Sequence, residues 1–288
     1  MSTVLYNNNF VSREACTVDM EDRGYQFGDG VYEVIRIYSG KMFTSQEHIT
    51  RLFESAEKIK LDLPFTKEEL TKNLSTLVEK NKLHTGTIYL QVTRGASARQ
   101  HQFPLEGNPV FTAYTKEVPR PENQMNEGVA AIIAEDVRWL RCDIKSLNLL
   151  GNLLAKQEAY SQGSFEAILH RDGTVTEGSS SNAFIIKNNQ LITHPATNLI
   201  LNGITRRELL RLCPGIGLDV KEEAFTLDDL LSADEVFIAS TTAEITPIVQ
   251  IDGKDVADRK PGEWTKKLQS VLKASIQEQC GELVSVES

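Results

Sequence analysis

The apolar positions of this chain change period several times, and each change predicts an element. "TVLYNNNFVSREACTV" alternates on either side of three asparagines and predicts a hairpin around Asn7, Asn8 and Asn9. "VYEVIRIYSGKMFTS" predicts a second hairpin turning at Ser39-Gly40. From Ser45 the period becomes helical, with Ile49, Leu52, Phe53, Ala56 and Ile59 on one face. "TKEEL" reads as a capping box, Thr66 being the N-cap and Glu69 lying three residues on. Leu70, Leu74, Leu77 and Val78 mark the buried face of the helix that follows. In "GTIYLQVTRG" the period returns to two: Ile88, Leu90 and Val92 against Tyr89, Gln91 and Thr93.

A polar stretch with Pro119 and Pro121, Lys116 to Val129, interrupts the pattern. Beyond it, "VAAIIAE" predicts a strand, and "LLGNLLAKQEAYSQG" a helix stopped at Gly163. "FEAILHRDGTVTEGSSSNAFIIKNNQLITH" predicts strands joined by an Asp-Gly turn and a further hairpin. "GITRRELLRLC" is a helix with Gly203 at its mouth, and a hairpin at Asp252-Gly253 precedes a closing amphipathic helix, "GEWTKKLQSVLKASIQEQ". Strands and helices mix without a regular βαβ beat. The fold class expected is α+β in two domains, residues 1–116 and 128–288, joined by a linker at 117–127.

Composition narrows the partners. The 288 residues are 40% hydrophobic and 25% charged, ordinary for a soluble globular protein. No apolar run approaches a membrane span, and the N-terminus carries no signal-peptide pattern. A net charge of −9 without a basic block argues against nucleic acid. Four scattered cysteines and five histidines form no metal spacing. A cytoplasmic setting with reduced thiols is expected.

Chemistry gathers in a few places. Lys145 stands among Ile144, Leu147, Leu149 and Leu150, which read as core. Such a lysine either lays its stem on apolar surface with the ammonium in water, or is held desolvated as a nucleophile. "LNGITRREL" presents Ile204 and Thr205 at a helix start, where free N–H groups suit a phosphate; Thr205 equally suits a plain cap. "IASTTAEITP" adds Ser240, Thr241 and Thr242 after a strand, and Arg51 lies in the early helix. "TVTEGSSSNAF" packs more hydroxyls than a turn needs, beside Glu177. "TRGASARQH" puts Arg94, Arg99 and His101 after a strand, a set able to grip a carboxylate.

An amine nucleophile, a phosphate cradle, a carboxylate for a ring nitrogen and a carboxylate clamp are what pyridoxal phosphate chemistry on amino acids requires. "EDRGYQFGDGVYEV", "RLFESAEKI", "VTRGASARQHQFP", "RWLRCDIKSLNLLGNLLAKQEA", "EAILHRDGTVTEGSSSNAF", "LNGITR" and "STTAEITP" together closely resemble the D-amino-acid aminotransferases, within the fold-type IV pyridoxal phosphate enzymes. The resemblance runs from about residue 4 to residue 270.

The resemblance implies a cofactor between the domains and a role for each residue. Lys145 matches the lysine that holds pyridoxal 5'-phosphate as a Schiff base and later moves the substrate's Cα proton. Glu177 matches the carboxylate at the pyridine nitrogen. Arg51, Ile204, Thr205 and Thr241 match phosphate contacts, and Ser180 and Leu201 match residues packed near the cofactor. Tyr32, Arg99 and His101 match a trap for the substrate carboxylate, part of which comes from a neighbouring subunit, so a homodimer is implied. Tyr89 matches a further active-site tyrosine. The implied reaction takes D-alanine and 2-oxoglutarate to pyruvate and D-glutamate.

The R-x-H pair, Arg99 and His101, separates this reading from an L-branched-chain aminotransferase of the same fold. A lyase of that fold and an inactive pyridoxal phosphate binder are further readings, because fold does not fix reaction. Two stretches depart from the family pattern: "HQFPLEGNPV" is a residue short, and the tail "CGELVSVES" matches nothing in it.

Overall fold

The computed structural model describes residues 2–283. The chain divides into two compact units. The first holds residues 2–119, the short segment Ile144–Asn148 and residues 276–283; the second holds Arg120–Asp143 and Leu149–Ser275.

In the first unit, β1 (Thr3–Tyr6) and β2 (Asn9–Ser12) are followed by α1 (Arg23–Phe27), β3 (Gly30–Tyr38) and β4 (Lys41–Met42). Then come α2 (Ser45–Lys58), α3 (Lys67–Lys80), β5 (Gly86–Thr93) and β6 (Val110–Glu117). The strands form a six-stranded antiparallel sheet in the order β2-β1-β6-β5-β3-β4. Its hairpins turn where the sequence predicts. Asn7 and Asn8 take φ of 46° and 64°, and Ser39 and Gly40 take 48° and 75°, the paired positive values of a turn whose twist matches the strands. The capping box forms: Glu69 N donates to Thr66 Oγ1 (3.1 Å) and Thr66 N to Glu69 Oε2 (2.8 Å). Leu70, Leu74 and Leu77 of α3 and Ile49 and Leu52 of α2 are buried with Ile88, Leu90 and Val92 of β5 in one core. Each contributes roughly 1.5–3 kcal/mol of burial.

The second unit opens with α4 (Glu122–Glu127), β7 (Val129–Glu135), α5 (Leu150–Ser161), β8 (Glu166–Arg171) and β9 (Thr174–Gly178). It continues with β10 (Asn182–Lys187), β11 (Gln190–Thr193), α6 (Ile204–Leu212), β12 (Asp219–Glu222) and α7 (Leu227–Leu231). It closes with β13 (Glu235–Ser240), β14 (Glu244–Ile251), β15 (Lys254–Asp255) and α8 (Glu263–Cys280), whose last residues belong to the first unit. The nine-stranded sheet is mixed, in the order β12-β11-β10-β13-β14-β7-β8-β9, with β15 on β14. Its parallel pairs are β7 with β8, β7 with β14, and β11 with β12. Both faces are covered. Ala131 and Ile168 enter one core, and their chain neighbours Ile132, Ala167 and Leu169 enter another with Ala155 and Ala159 of α5. Gly163, at φ 73°, stops α5 as its position after the last apolar residue predicts.

Three features differ from the sequence expectation. Residues 117–127 are not a bare linker: Glu117 ends β6, and α4 buries Met125, whose carbonyl accepts from Gln269 Nε2 at 2.9 Å. Ile144–Asn148 and residues 276–283 return to the first unit. Periodicity cannot show a returning segment, because its partners are remote in sequence. Leu150, expected in the core beside Lys145, is 70% exposed, since it starts α5 on an outward position. Of the tail, residues 284–288 lie outside the described part.

Candidate active site

The site residues fall into two groups, one in each unit. In the first unit, Ile144–Asn148 runs beside the start of β3. Tyr32 N donates to Lys145 O at 3.1 Å, and Leu147 N donates to Gly30 O at 3.1 Å. Lys145 N donates to Ser55 Oγ of α2 at 3.2 Å. The lysine backbone is thus held by a strand and a helix, while Ile144 anchors the segment in the core. Gly30 is required at this seam. A Cβ there would lie 2.5 Å from the Val92 carbonyl oxygen and 2.8 Å from Leu147 Cδ1. Lys145 Nζ sits 4.3 Å from the centre of the Tyr32 ring. Among the described residues it makes no hydrogen bond or ion pair. Tyr32 stacks on Tyr89 with centroids 5.7 Å apart, and Tyr89 donates to Gln91 Oε1 at 2.8 Å. Burial, with Tyr32 and Tyr114 alongside, pushes the Tyr89 phenol up, so it stays protonated. Lys145, Tyr32 and Tyr89 are therefore brought together.

Arg51 projects from α2 to Glu33 of β3, Nε to Oε1 at 2.7 Å and Nη2 to Oε2 at 3.0 Å. His48 Nδ1 lies 2.8 Å from the same Oε2. Burial alone would raise the Glu33 carboxyl; Arg51 and His48 outweigh it and hold the group well below the usual range. Burial lowers His48 against the pull of Glu33. The imidazole is then neutral, and its Nδ1–H donates to the carboxylate. The sequence reading missed this pair. The available signal was a glutamate at the buried phase of β3, between Val31 and Ile35.

Arg99 and His101 are both exposed on the segment after β5. They converge on Phe27 of α1. Arg99 Cζ is 4.8 Å from the ring centre, and the His101 ring meets it edge-on at 6.0 Å.

In the second unit, Glu177 is the penultimate residue of β9 and is 4% exposed. Arg138 Nη1 donates to Oε1 at 2.6 Å, Asn182 Nδ2 to Oε2 at 3.0 Å, and Leu201 N to both oxygens at 3.2 and 3.1 Å. Leu201 is thus a backbone brace for the carboxylate, and Asn182 also donates to Leu201 O at 2.8 Å. Burial pushes Glu177 up to about 7; Arg138 opposes the rise and Asp136 adds to it. The serine run has a buried reason. Ser179, Ser180 and Ser181 all donate to Glu166 of β8, the latter two at 3.1 and 2.9 Å, so one carboxylate orders the loop. Neither Arg138 nor Glu166 stood out in the sequence, because their partners lie across strands.

Ile204 and Thr205 open α6 after the N-cap Gly203, with first-turn amides that the helix itself does not use. Gly203 is required: a Cβ would fall 2.2 Å from Asn182 Oδ1. Thr241 lies in the turn between β13 and β14, where Ala243 N donates to Ser240 Oγ at 3.1 Å. Glu244 closes the turn at φ 49°, locked to Arg120 by contacts of 2.8 and 2.6 Å.

These groups suit a phosphorylated, cationic-ring cofactor. An unpaired amine, a braced buried carboxylate, a helix N-terminus and an arginine are all present. Similarity to known proteins points the same way. Residues 30–251 match the model of the amino-transferase class IV family. A D-alanine aminotransferase of Listeria monocytogenes is 59% identical over 286 residues, covering 98% of each chain. One of Bacillus licheniformis is 55% identical over 273 residues, covering 95% of this chain and 96% of its own. Among solved structures, the branched-chain amino acid aminotransferase from Escherichia coli aligns with a TM-score of 0.88 at 27% identity, covering 100% of this chain and 97% of its own. This chain belongs to the class IV aminotransferases.

Proposed function

We propose that the chain transfers the amino group of D-alanine to 2-oxoglutarate, giving pyruvate and D-glutamate, with pyridoxal 5'-phosphate as cofactor. The pair Arg99 and His101 carries the reading, together with the 59% identity to a D-alanine aminotransferase. Two cation-capable groups on one ring suit a carboxylate, and the sequence reading ties this pair to D-acids. Bound pyridoxal phosphate supplies the electron sink that loosens the substrate's Cα–H bond. Lys145 Nζ holds the cofactor and then moves the Cα proton. Glu177, braced by Arg138, Asn182 and Leu201 N, holds the proton of the ring nitrogen. Arg51, the amides of Ile204 and Thr205, and Thr241 hold the phosphate. Ser180 packs near the cofactor, and Tyr32 and Tyr89 orient the substrate.

The active assembly is a homodimer. Two observations support this. Arg99 and His101 are exposed on a single chain. On and before α5, Val137, Leu140, Leu150, Leu153 and Leu154 are 66, 59, 70, 60 and 59% exposed, an apolar strip that a second copy would cover. The setting is cytoplasmic, in keeping with four free cysteines. No helix among the described residues is long and apolar enough to cross a membrane.

The test is transamination with 2-oxoglutarate, comparing D-alanine with L-leucine and using Lys145→Ala as control. Keto-acid release from D-alanine that the substitution abolishes is the expected result. Preference for L-leucine would transfer the chain to the branched-chain reading. A preparation that stays colourless with added cofactor would favour an inactive binder.

A further inference from the structure

The segment that carries Arg99 and His101 has no regular structure of its own from Gln100 to Gln102, yet a clamp must be held still. What holds it is Arg23, which is 3% exposed. Its Nη1 donates to Gln100 O at 2.7 Å and, more weakly, to Gln102 O at 3.4 Å. Its Nη2 donates to His101 O at 3.4 Å. One planar guanidinium thus gathers three successive carbonyls beside its Asp29 contact, four acceptors against the three donors an ammonium has.

Arg23 is itself fixed. Its Nε donates to Asp29 Oδ2 at 2.8 Å, and the same oxygen accepts from Arg94 Nε at 2.9 Å. Arg94 in turn donates to Ile59 O and Lys60 O, both at 2.8 Å, tying the group to the end of α2. The one-turn helix α1 that presents Arg23 is pinned to the end of β5. Asp22 Oδ1 accepts from Gly24 N at 2.8 Å, and its Oδ2 accepts from Thr93 Oγ1 at 2.7 Å. Only glycine fits at position 24, since a Cβ would meet Thr93 Cγ2 at 2.2 Å.

Phe27, one turn on from Arg23, completes the support. The guanidinium carbons of Arg23 and Arg99 each lie 4.8 Å from its ring centre. Two cations share one ring, but only Arg23 has a carboxylate. Among the described residues Arg99 has no ion pair, so its charge is left for an incoming anion.

We infer that Arg23 is a positioning residue for the substrate-carboxylate clamp: through the Gln100–Gln102 carbonyls and Phe27 it sets where Arg99 and His101 stand. The inference rests on the reading of those two residues as the clamp. It concerns affinity for the carboxylate that amino acid and oxo acid share.

The experiment uses cofactor-loaded enzyme in single-turnover reactions, with D-alanine and, for the aminated form, 2-oxoglutarate. Arg23→Lys keeps the charge beside Asp29 and loses the fork. The apparent dissociation constants of both substrates should rise about tenfold or more, while the limiting rate stays within about twofold. Cofactor affinity and absorbance should not change. Added to the double substitution Arg99→Ala/His101→Ala, Arg23→Lys should weaken binding no further. Unchanged substrate affinity in Arg23→Lys, beside clear weakening in Arg99→Ala, would overturn the inference and leave the clamp standing. Unchanged affinity in Arg99→Ala would instead remove the clamp reading. Should Arg23→Lys fail to fold, Phe27→Leu removes the shared ring and keeps the Asp29 pair. It should show the same split between affinity and rate, and normal affinity there would overturn the inference.

Discussion

Glu33 and Glu177 are both buried carboxylates paired with an arginine, yet they are driven in opposite directions. Glu33 is held well below the usual range, whereas Glu177 rises to about 7. The difference lies in how each arginine is shared. Arg51 gives two nitrogens to Glu33, and His48 adds a third donor. Arg138 gives Glu177 one nitrogen at 2.6 Å and turns Nε and Nη2 to Asp136, both at 2.8 Å. A divided guanidinium offsets less of the desolvation cost, and the second carboxylate repels the first. Glu33 is a permanent anion that fixes Arg51. Glu177 is poised near neutrality, which suits a group that keeps a proton on a neighbouring nitrogen.

This contrast can be broken at several points. The largest effect should come from Glu177→Gln, which leaves the packing and removes the charge. Turnover of D-alanine should fall by about a hundredfold or more in a steady-state assay, with the fold retained by circular dichroism. Next is Glu33→Gln, which takes the shared carboxylate charge away from Arg51 and His48 in a buried site. Denaturant unfolding of the apoprotein should show a loss of about 3–5 kcal/mol, and cofactor affinity should weaken more than the limiting rate. A smaller change is expected of Asp136→Asn. With Arg138 released to Glu177, that carboxyl should drop from about 7 toward the ordinary 4.5, read as a matching acid shift when it is followed by infrared titration.

The smallest effect is in the pH dependence of apoprotein stability. A carboxyl raised from 4.5 to about 7 binds more protons in the folded state than in the unfolded one across that window. Glu177 should therefore cost stability as pH rises from 4.5 to 7, and Glu177→Gln should flatten that slope in thermal melts. Glu33 has the opposite sign. Its contribution is full above 4.5 and is lost as pH falls below that value.

Much of this was legible beforehand. The hairpin turns at Asn7, Ser39, Asp172, Asn188 and Asp252 all take positive φ, as asparagine, aspartate and small residues at such positions imply. Thr66 and Glu69 form their box, and Gly163 ends its helix. The short elements α1 and α7 were not legible. A helix of five residues carries too little periodicity, and both depend on caps, Asp22 and Thr226. The hydroxyls of the serine run at 179–181 donate to Glu166, a partner set by strand pairing that no local pattern records.

The sequence by itself determined the longer strands and helices and the hairpin turns, and its resemblance to the D-amino-acid aminotransferases singled out Lys145, Glu177 and the Arg99-His101 pair as candidates. The elements follow from local periodicity and turn conformation, carried within a few positions of the chain, whereas the candidates rest on residue type together with the family resemblance. Only the tertiary structure decided that Ile144–Asn148 returns to the first unit, that Glu33 and Glu177 are driven in opposite directions, and that Arg23 gathers the carbonyls of Gln100, His101 and Gln102. Each depends on groups tens of residues apart meeting within about 3 Å, where desolvation and hydrogen bonding fix the energies and no local pattern records the partner.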